Sequence, residues 1–207
     1  MAKDSKKQIS RFDRAVVVFK ENGGILRTSL AIRAGIHPST LYAMRDSGTI
    51  KMISRGVFRL ADIEPLGNPD LVIVATRVPS GVFCLISALT FYEITTQIPH
   101  EVHVALPYGA EEPRVEYPPL KTYRFTGKAF TEGVEIFDLD GVSVRMYSPE
   151  KTLADCFKFR RKIGLDTSVE AVRLYRERMN VKINDLMHYA EICRVGKIMR
   201  PYLEAIL

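Results

Sequence analysis

Residues 28–60 hold two glycine-marked helix stops, followed by a switch from helical to alternating hydrophobicity. Thr28 can cap a short helix through Ala34, and Gly35 follows where a left-handed residue would end it. Pro38 suits the first position of the next helix, because the amide it lacks would be unpaired there anyway. Gly48 closes that helix. Leu41 and Met44, three residues apart, share a face that can pack on Ala31, Ile32 and Ile36, while Ser39, Tyr42, Ala43 and Asp46 fall on the opposite side. Beyond Gly48, Ile50 and Met52, then Val57, Phe58 and Leu60, flank Ser54-Arg55-Gly56, which predicts a hairpin with Gly in its turn. Upstream, Phe12, Ala15, Val16 and Phe19 predict a helix from about Lys6 to Asn22, ended by Gly23-Gly24. A helix, two more around a tight turn, then a ribbon: this order defines a winged helix-turn-helix.

The side chains left outside that core suggest a ligand. A second helix that buries one face and shows small, hydrogen-bonding groups on the other fits the DNA major groove, its N-terminal residues against base edges. Ser39, Thr40, Tyr42 and Ala43 are the expected readers. Asp46 is unfavourable beside phosphates unless it accepts from a cytosine amine or points away. Lys51, Arg55 and Arg59 give the ribbon a positive tip for the backbone or minor groove, with Arg27, Thr28, Arg33 and Arg45 as further contacts. Charge supports the reading. Residues 1–62 carry 12 Lys and Arg against 5 Asp and Glu, net +7, whereas residues 63–207 carry 18 against 19, net −1. A positive field confined to one end suits a polyanion, since phosphate neutralisation releases counterions and supplies most non-specific affinity.

With 207 residues and 46% apolar content, the chain can bury a sizeable core as one or two domains. The turn-rich stretch "ADIEPLGNPD" marks a boundary, giving a winged helix-turn-helix over 1–62 and a second domain over 63–207. The expected class is α+β, the second part a mixed α/β domain with a small, largely antiparallel sheet and C-terminal helices. In it "GVFCL" predicts a buried strand, Ser87 caps a helix to about Tyr92, and "EVHVALP" and "LKTYRF" predict strands around a Glu- and Pro-rich loop. Asp140-Gly141 between two alternating runs is the strongest hairpin signal in the chain. Ser148-Pro149 starts a helix to about Lys162, Asp166 or Thr167 starts another, and Asn184 caps a third.

The apolar run Ala15–Phe19 is too short for a signal-peptide core, and no stretch approaches a membrane span. Cys84, Cys156 and Cys193 lack metal-ligand spacing, so reduced, buried thiols in the cytoplasm are expected, with no metal and no cofactor. Residues 149–207 carry 12 basic and 8 acidic groups, net +4. Lys151, Lys158, Arg160, Arg161 and Lys162 gather on and after one helix, with Asp155 one turn beyond Lys151. They are a candidate surface for nucleic acid or an acidic partner, or a solvated helix face. Catalytic sets are weak. Asp138, Asp140, Glu150 and Asp155 would have to serve as the metal ligands of a nuclease, but Asp140 belongs to a hairpin turn and Glu150 to a first helical turn, where acids are ordinary. His100 and His103 would face opposite sides of a strand. Ser87 and Ser148 read as caps rather than nucleophiles. The expectation is that the protein is not an enzyme.

The basic winged helix, then "RVPSGVFCLISALTFYEITTQIPHEVHVALP", then "YSPEKTLADCFKFRRKIGLDTSVEAVRLY", together resemble the AbiEi-type antitoxins of bacterial toxin-antitoxin and phage-defence systems. Ser87-Ala88-Leu89 and Ser148 to Asp155 are the most specific pieces; a departure is Phe58, where the wing of many relatives reads "RGVY". The resemblance implies an N-terminal domain that represses its own operon on operator DNA, with room for a dimer there. It also implies a C-terminal domain that opposes a nucleotidyltransferase-like toxin, in a family where the two proteins need not bind each other. Two other readings stand beside it. One is a stand-alone transcriptional regulator with a ligand-sensing C-terminal domain, the other a DNA-targeted nuclease.

Overall fold

The computed structural model describes residues 10–64 and 66–207, which form two compact units. The first comprises residues up to Arg77 together with Asp138–Val142; the second comprises Val78–Phe137 and Ser143–Leu207.

In the first unit the order is α1 (Arg11–Glu21), β1 (Ile25–Arg27), α2 (Thr28–Arg33), α3 (Pro38–Asp46), β2 (Ile50–Ser54), β3 (Val57–Leu60) and α4 (Pro69–Arg77). A reciprocal capping box starts α1, Ser10 taking the Asp13 N–H and Asp13 the Ser10 N–H, which satisfies two amides the helix cannot. The expected start near Lys6 lies outside the described residues. Phe19, Leu41 and Met44 are fully buried in one cluster with Ala31, Ile36, Phe58 and Leu60, each large side chain contributing roughly 1.5–3 kcal/mol by leaving water. Ile32, expected there, stands 46% exposed; with α2 only six residues long, Ala31 alone of that pair faces inward.

The ribbon gains a strand the sequence reading lacked. β1 pairs antiparallel with β3, Leu26 opposite Phe58, making a three-stranded sheet in the order β1-β3-β2. Its second face is apolar as well. Ile25 and Val57 pack there against Val72 of α4, with Leu66, Leu139 and Val142 at the margin. An apolar sheet face must be covered. That requirement explains why the chain divides after Arg77 rather than after residue 62, and why residues 138–142 join the first unit. The turn Asp140-Gly141 has positive φ at both positions, 53° and 77°, as a two-residue hairpin demands. Gly141 also abuts the backbone of Gly23, where a Cβ would lie 2.4 Å from a Cα. Only glycine fits on both counts.

The second unit contains β4 (Val82–Phe83), α5 (Leu85–Phe91), β5 (Val102–Pro107), β6 (Leu120–Phe125), α6 (Lys128–Thr131), most of β7 (Val134–Leu139) and of β8 (Val142–Tyr147), whose ends at 138–139 and 142 belong to the first unit, α7 (Pro149–Lys158), α8 (Arg160–Ile163), α9 (Leu165–Arg178), α10 (Ile183–Ile192) and α11 (Gly196–Ile206). The class is α+β, as the patterning predicts. The five-stranded sheet, ordered β6-β5-β4-β8-β7, is mixed rather than largely antiparallel: β5 pairs antiparallel with β4, while β5–β6 and β4–β8 are parallel. β5 is buried on both faces, which suits a strand in the sheet interior.

Several caps differ from expectation. Cys84 holds the N-cap position of α5, and Ser87, expected there, is buried with its hydroxyl accepting the His103 N–H at 2.8 Å. Gly164 precedes α9 and Lys182 precedes α10, neither with a side-chain cap bond, so Asn184 lies inside its helix. The Ser148 cap does form, accepting from the Lys151 N–H. That helix stops at Lys158, with α8 following as a separate turn.

Candidate nucleic-acid interface

Pro38 occupies the first turn of α3, and His37 is its N-cap: Nδ1 accepts the Ser39 N–H at 3.2 Å and lies 2.7 Å from Ser39 Oγ. Sequence reasoning missed this cap because histidine is not a preferred capping residue. The buried edge of α3 is Thr40, Leu41 and Met44; the exposed edge is Ser39, Tyr42, Ala43, Arg45 and Asp46. Of the four expected readers, three are thus displayed and Thr40, at 9% exposure, is turned inward. Thr40 is placed at the margin between the two faces, where helical geometry carries it toward Leu41 and Met44.

Asp46 is answered by its neighbour. Arg45 Nε and Nη2 both donate to Asp46 Oδ1, at 2.9 and 2.8 Å, and the guanidinium lies over the Tyr42 ring, 5.2 Å from its centroid. The carboxylate that would repel phosphate is therefore neutralised on its own helix. An exposed pair of this kind contributes little to stability, about 0–1 kcal/mol. Tyr42 itself is 51% exposed on the same edge of α3.

In the wing, Lys51 and Arg55 are exposed. The turn is fixed by two residues that close on its carbonyls. Thr28 Oγ1 donates to Gly56 O at 3.3 Å, and Arg77 Nη1 donates to Arg55 O at 2.8 Å. Thr28 is therefore not a cap; α2 begins after Arg27, which occupies the N-cap position without a side-chain bond, and the Thr28 hydroxyl is committed to the wing. Arg77 went unnoticed in the sequence because α4 lies beyond the boundary read there. Arg59, expected at the DNA, is half-buried with Nη2 donating to Ile63 O at 2.8 Å; its β3 position opposite Ile25 sends it toward the covered face. Arg33 is exposed on α2 and Arg27 half-buried. Phe58 is buried, so a hydroxyl at that ring would meet core rather than solvent.

The second cluster divides. Lys151 and Asp155, expected on a partner surface, have no exposed side-chain area and pair with each other at 2.5 Å. The Lys151 ammonium lies 4.1 Å from the centre of the Tyr147 ring and 5.0 Å from that of Phe125, and Cys193 Sγ donates to the other Asp155 oxygen at 3.1 Å. Burial pushes the Asp155 carboxyl above its ordinary range while the adjacent ammonium pulls it down. These two residues are core, because α7 packs against α5, α9, α10 and α11 and leaves no solvent face there. Lys158 and Arg160 are half-buried, and Arg161 and Lys162 exposed. Lys158 lies over Phe125 and Phe159, Lys162 over Tyr123 and Phe159, and Arg160 Nη1 donates to Phe157 O.

The acids considered for a nuclease are individually engaged. Asp138 accepts the Gly141 N–H, Asp140 the Gly67 N–H and Glu150 the Tyr175 hydroxyl. Among the described residues no three His, Cys, Asp or Glu side chains converge as metal ligands. The three cysteines are buried free thiols, and burial pushes Cys193 up to about 12 and Cys84 and Cys156 well above the ordinary thiol range, so none offers a thiolate nucleophile. Among the described residues no helix is long and apolar enough to cross a membrane.

Fold and exposed chemistry together define the first unit as a winged helix-turn-helix of the DNA-binding class. Residues 14–61 match the family model described as "Transcriptional regulator, AbiEi antitoxin", which bears out, over that segment, the family read from the sequence. No match to a curated protein is found. The crystal structure of the RV2827C protein from Mycobacterium tuberculosis is similar in fold, with a TM-score of 0.52 at 13% identity over 94% of this chain and 80% of that one.

Proposed function

We propose that this protein is an autoregulatory antitoxin. Its winged helix represses its own operon on double-stranded operator DNA, with a dimer matching symmetric half-sites, and its second unit counteracts a nucleotidyltransferase-like toxin encoded beside it, in the cytoplasm and without catalysis of its own. The observation that carries the DNA half is the exposed edge of α3, with Ser39, Tyr42 and Ala43 displayed and the acid of that edge held by Arg45, inside the segment that matches a regulator family. Small and hydrogen-bonding groups on a solvent-facing recognition helix are what base edges require. For the second unit the support is the exposed pair Arg161 and Lys162 flanked by the aromatic-backed Lys158, a cationic surface left once Lys151 and Asp155 are assigned to the core.

Two measurements test the two halves separately. A gel-shift titration of the upstream promoter fragment at modest ionic strength is expected to show retardation at lower protein concentration than a random duplex; equal retardation of both removes operator recognition. Co-expression with the adjacent toxin gene is expected to restore growth. Continued arrest despite full-length protein in the cell removes the antitoxin role.

A further inference from the structure

The face of α1 toward the helix-turn-helix turn holds a groove that the contacts above leave unused. It encloses about 710 Å3 between α1 and the α2–α3 connection, with Arg11, Arg14 and Val17 on one wall and Gly35, His37 and Thr40 on the other. Arg11 and Arg14 are exposed, lie one helical turn apart on a single face, and among the described residues neither guanidinium makes a hydrogen bond or ion pair. Asp13, the acid between them, turns its carboxylate back to the Ser10 N–H. The rim is thus cationic without local compensation, while the more deeply buried lining residues Ala15 and Ile36 give the groove an apolar floor.

The opposite wall decides the occupant. It consists of the turn that precedes the recognition helix and the first residues of that helix. In helix-turn-helix docking these elements stand where the chain passes from base edges to the flanking sugar–phosphate strand. An apolar floor accepts a deoxyribose, and two guanidinium forks accept phosphate oxygens. We propose that this groove is a second backbone-contact site for duplex DNA, in which Arg11 and Arg14 each neutralise one phosphate of the strand flanking the bases read by α3. The proposal rests on the DNA-binding reading and adds two contact residues to it.

The test uses the full chain, the upstream promoter duplex and a random duplex of equal length, with affinities followed over a salt series. Arg11→Gln/Arg14→Gln is expected to weaken both duplexes by the same factor. It should also flatten the plot of log affinity against log salt by about 1.8, roughly 0.9 for each lost phosphate contact. Arg11→Lys/Arg14→Lys is expected to keep the wild-type slope, separating charge from packing. An unchanged slope in the glutamine variant overturns the groove assignment while leaving the DNA reading intact, and so does a loss confined to the promoter duplex, which would make the arginines sequence readers. Wild-type protein that retards neither duplex overturns the DNA reading itself.

Discussion

Two helices of this molecule begin alike and end in opposite environments. α3 opens with His37-Pro38 and α7 with Ser148-Pro149; each starts with a side-chain cap, and each carries a cation and an acid that pair. In α3 the pair is Arg45–Asp46, with 42% and 66% of their side chains exposed; in α7 it is Lys151–Asp155, with none. The first is an exchangeable surface contact. The second is fixed in the core, because desolvated charges are tolerated only when paired. The difference teaches that a charged helix pattern announces the presence of charge but not its role, which is set by how many elements close around the helix.

The comparison breaks most easily at Asp155. Asp155→Ala leaves the Lys151 ammonium buried without its carboxylate and is expected to destabilise the second unit by about 3–5 kcal/mol, read from the shift in denaturant midpoint. Lys151→Met/Asp155→Leu, which removes both charges, is expected to recover most of that loss. A single variant that unfolds at the wild-type midpoint would mean that the pair is not desolvated.

Acid sharpens the same contrast without mutation. His103 is buried, and desolvation lowers its pKa to about 4 against the Glu101 carboxylate, which raises it. The folded state therefore binds its proton less readily than the unfolded state. Stability from this group is complete above about pH 6.5 and is lost as pH falls toward 4, by up to about 3 kcal/mol. Denaturant midpoints of the full chain at pH 7 and pH 5, compared with those of His103→Gln, are expected to show a steeper decline in the wild type. Parallel declines would place the sensitivity elsewhere.

A smaller effect probes the hairpin tip. Gly141→Ala puts a Cβ against the Gly23 backbone at a positive φ, and is expected to cost roughly 1–3 kcal/mol in the first unit. A melting temperature within error of the wild type would show that the two glycines do not meet in solution.

The legible parts of the fold were those written in local chemistry. Pro38 and Pro149 announced helix starts, Asp140-Gly141 announced a hairpin, and Leu41 with Met44 announced the buried edge of α3, because each is decided within a turn or two of chain. β1 was missed because three residues offer no measurable alternation. α4 groups with the first unit because the apolar second face of the sheet, Ile25 and Val57, demands it, and that face does not exist until β1 pairs. At the site, Tyr42, Ala43 and Ser39 followed from periodicity, whereas the inward turn of Arg59 and the burial of Lys151 and Asp155 are set by neighbours distant in sequence.

The smallest effect returns to the surface pair. Asp46→Asn removes a charge that Arg45 compensates and is expected to change stability by no more than about 0.5 kcal/mol, in contrast to Asp155→Ala. Its effect should appear on DNA instead. With the carboxylate gone, Arg45 is released toward the backbone and one repulsive charge disappears, so affinity for promoter and random duplexes alike should rise a few-fold at low salt, the gain shrinking as salt increases. A loss of affinity at a single cytosine-containing operator position would instead make Asp46 an acceptor for a base amine, and Arg45 the residue that holds it in place for reading.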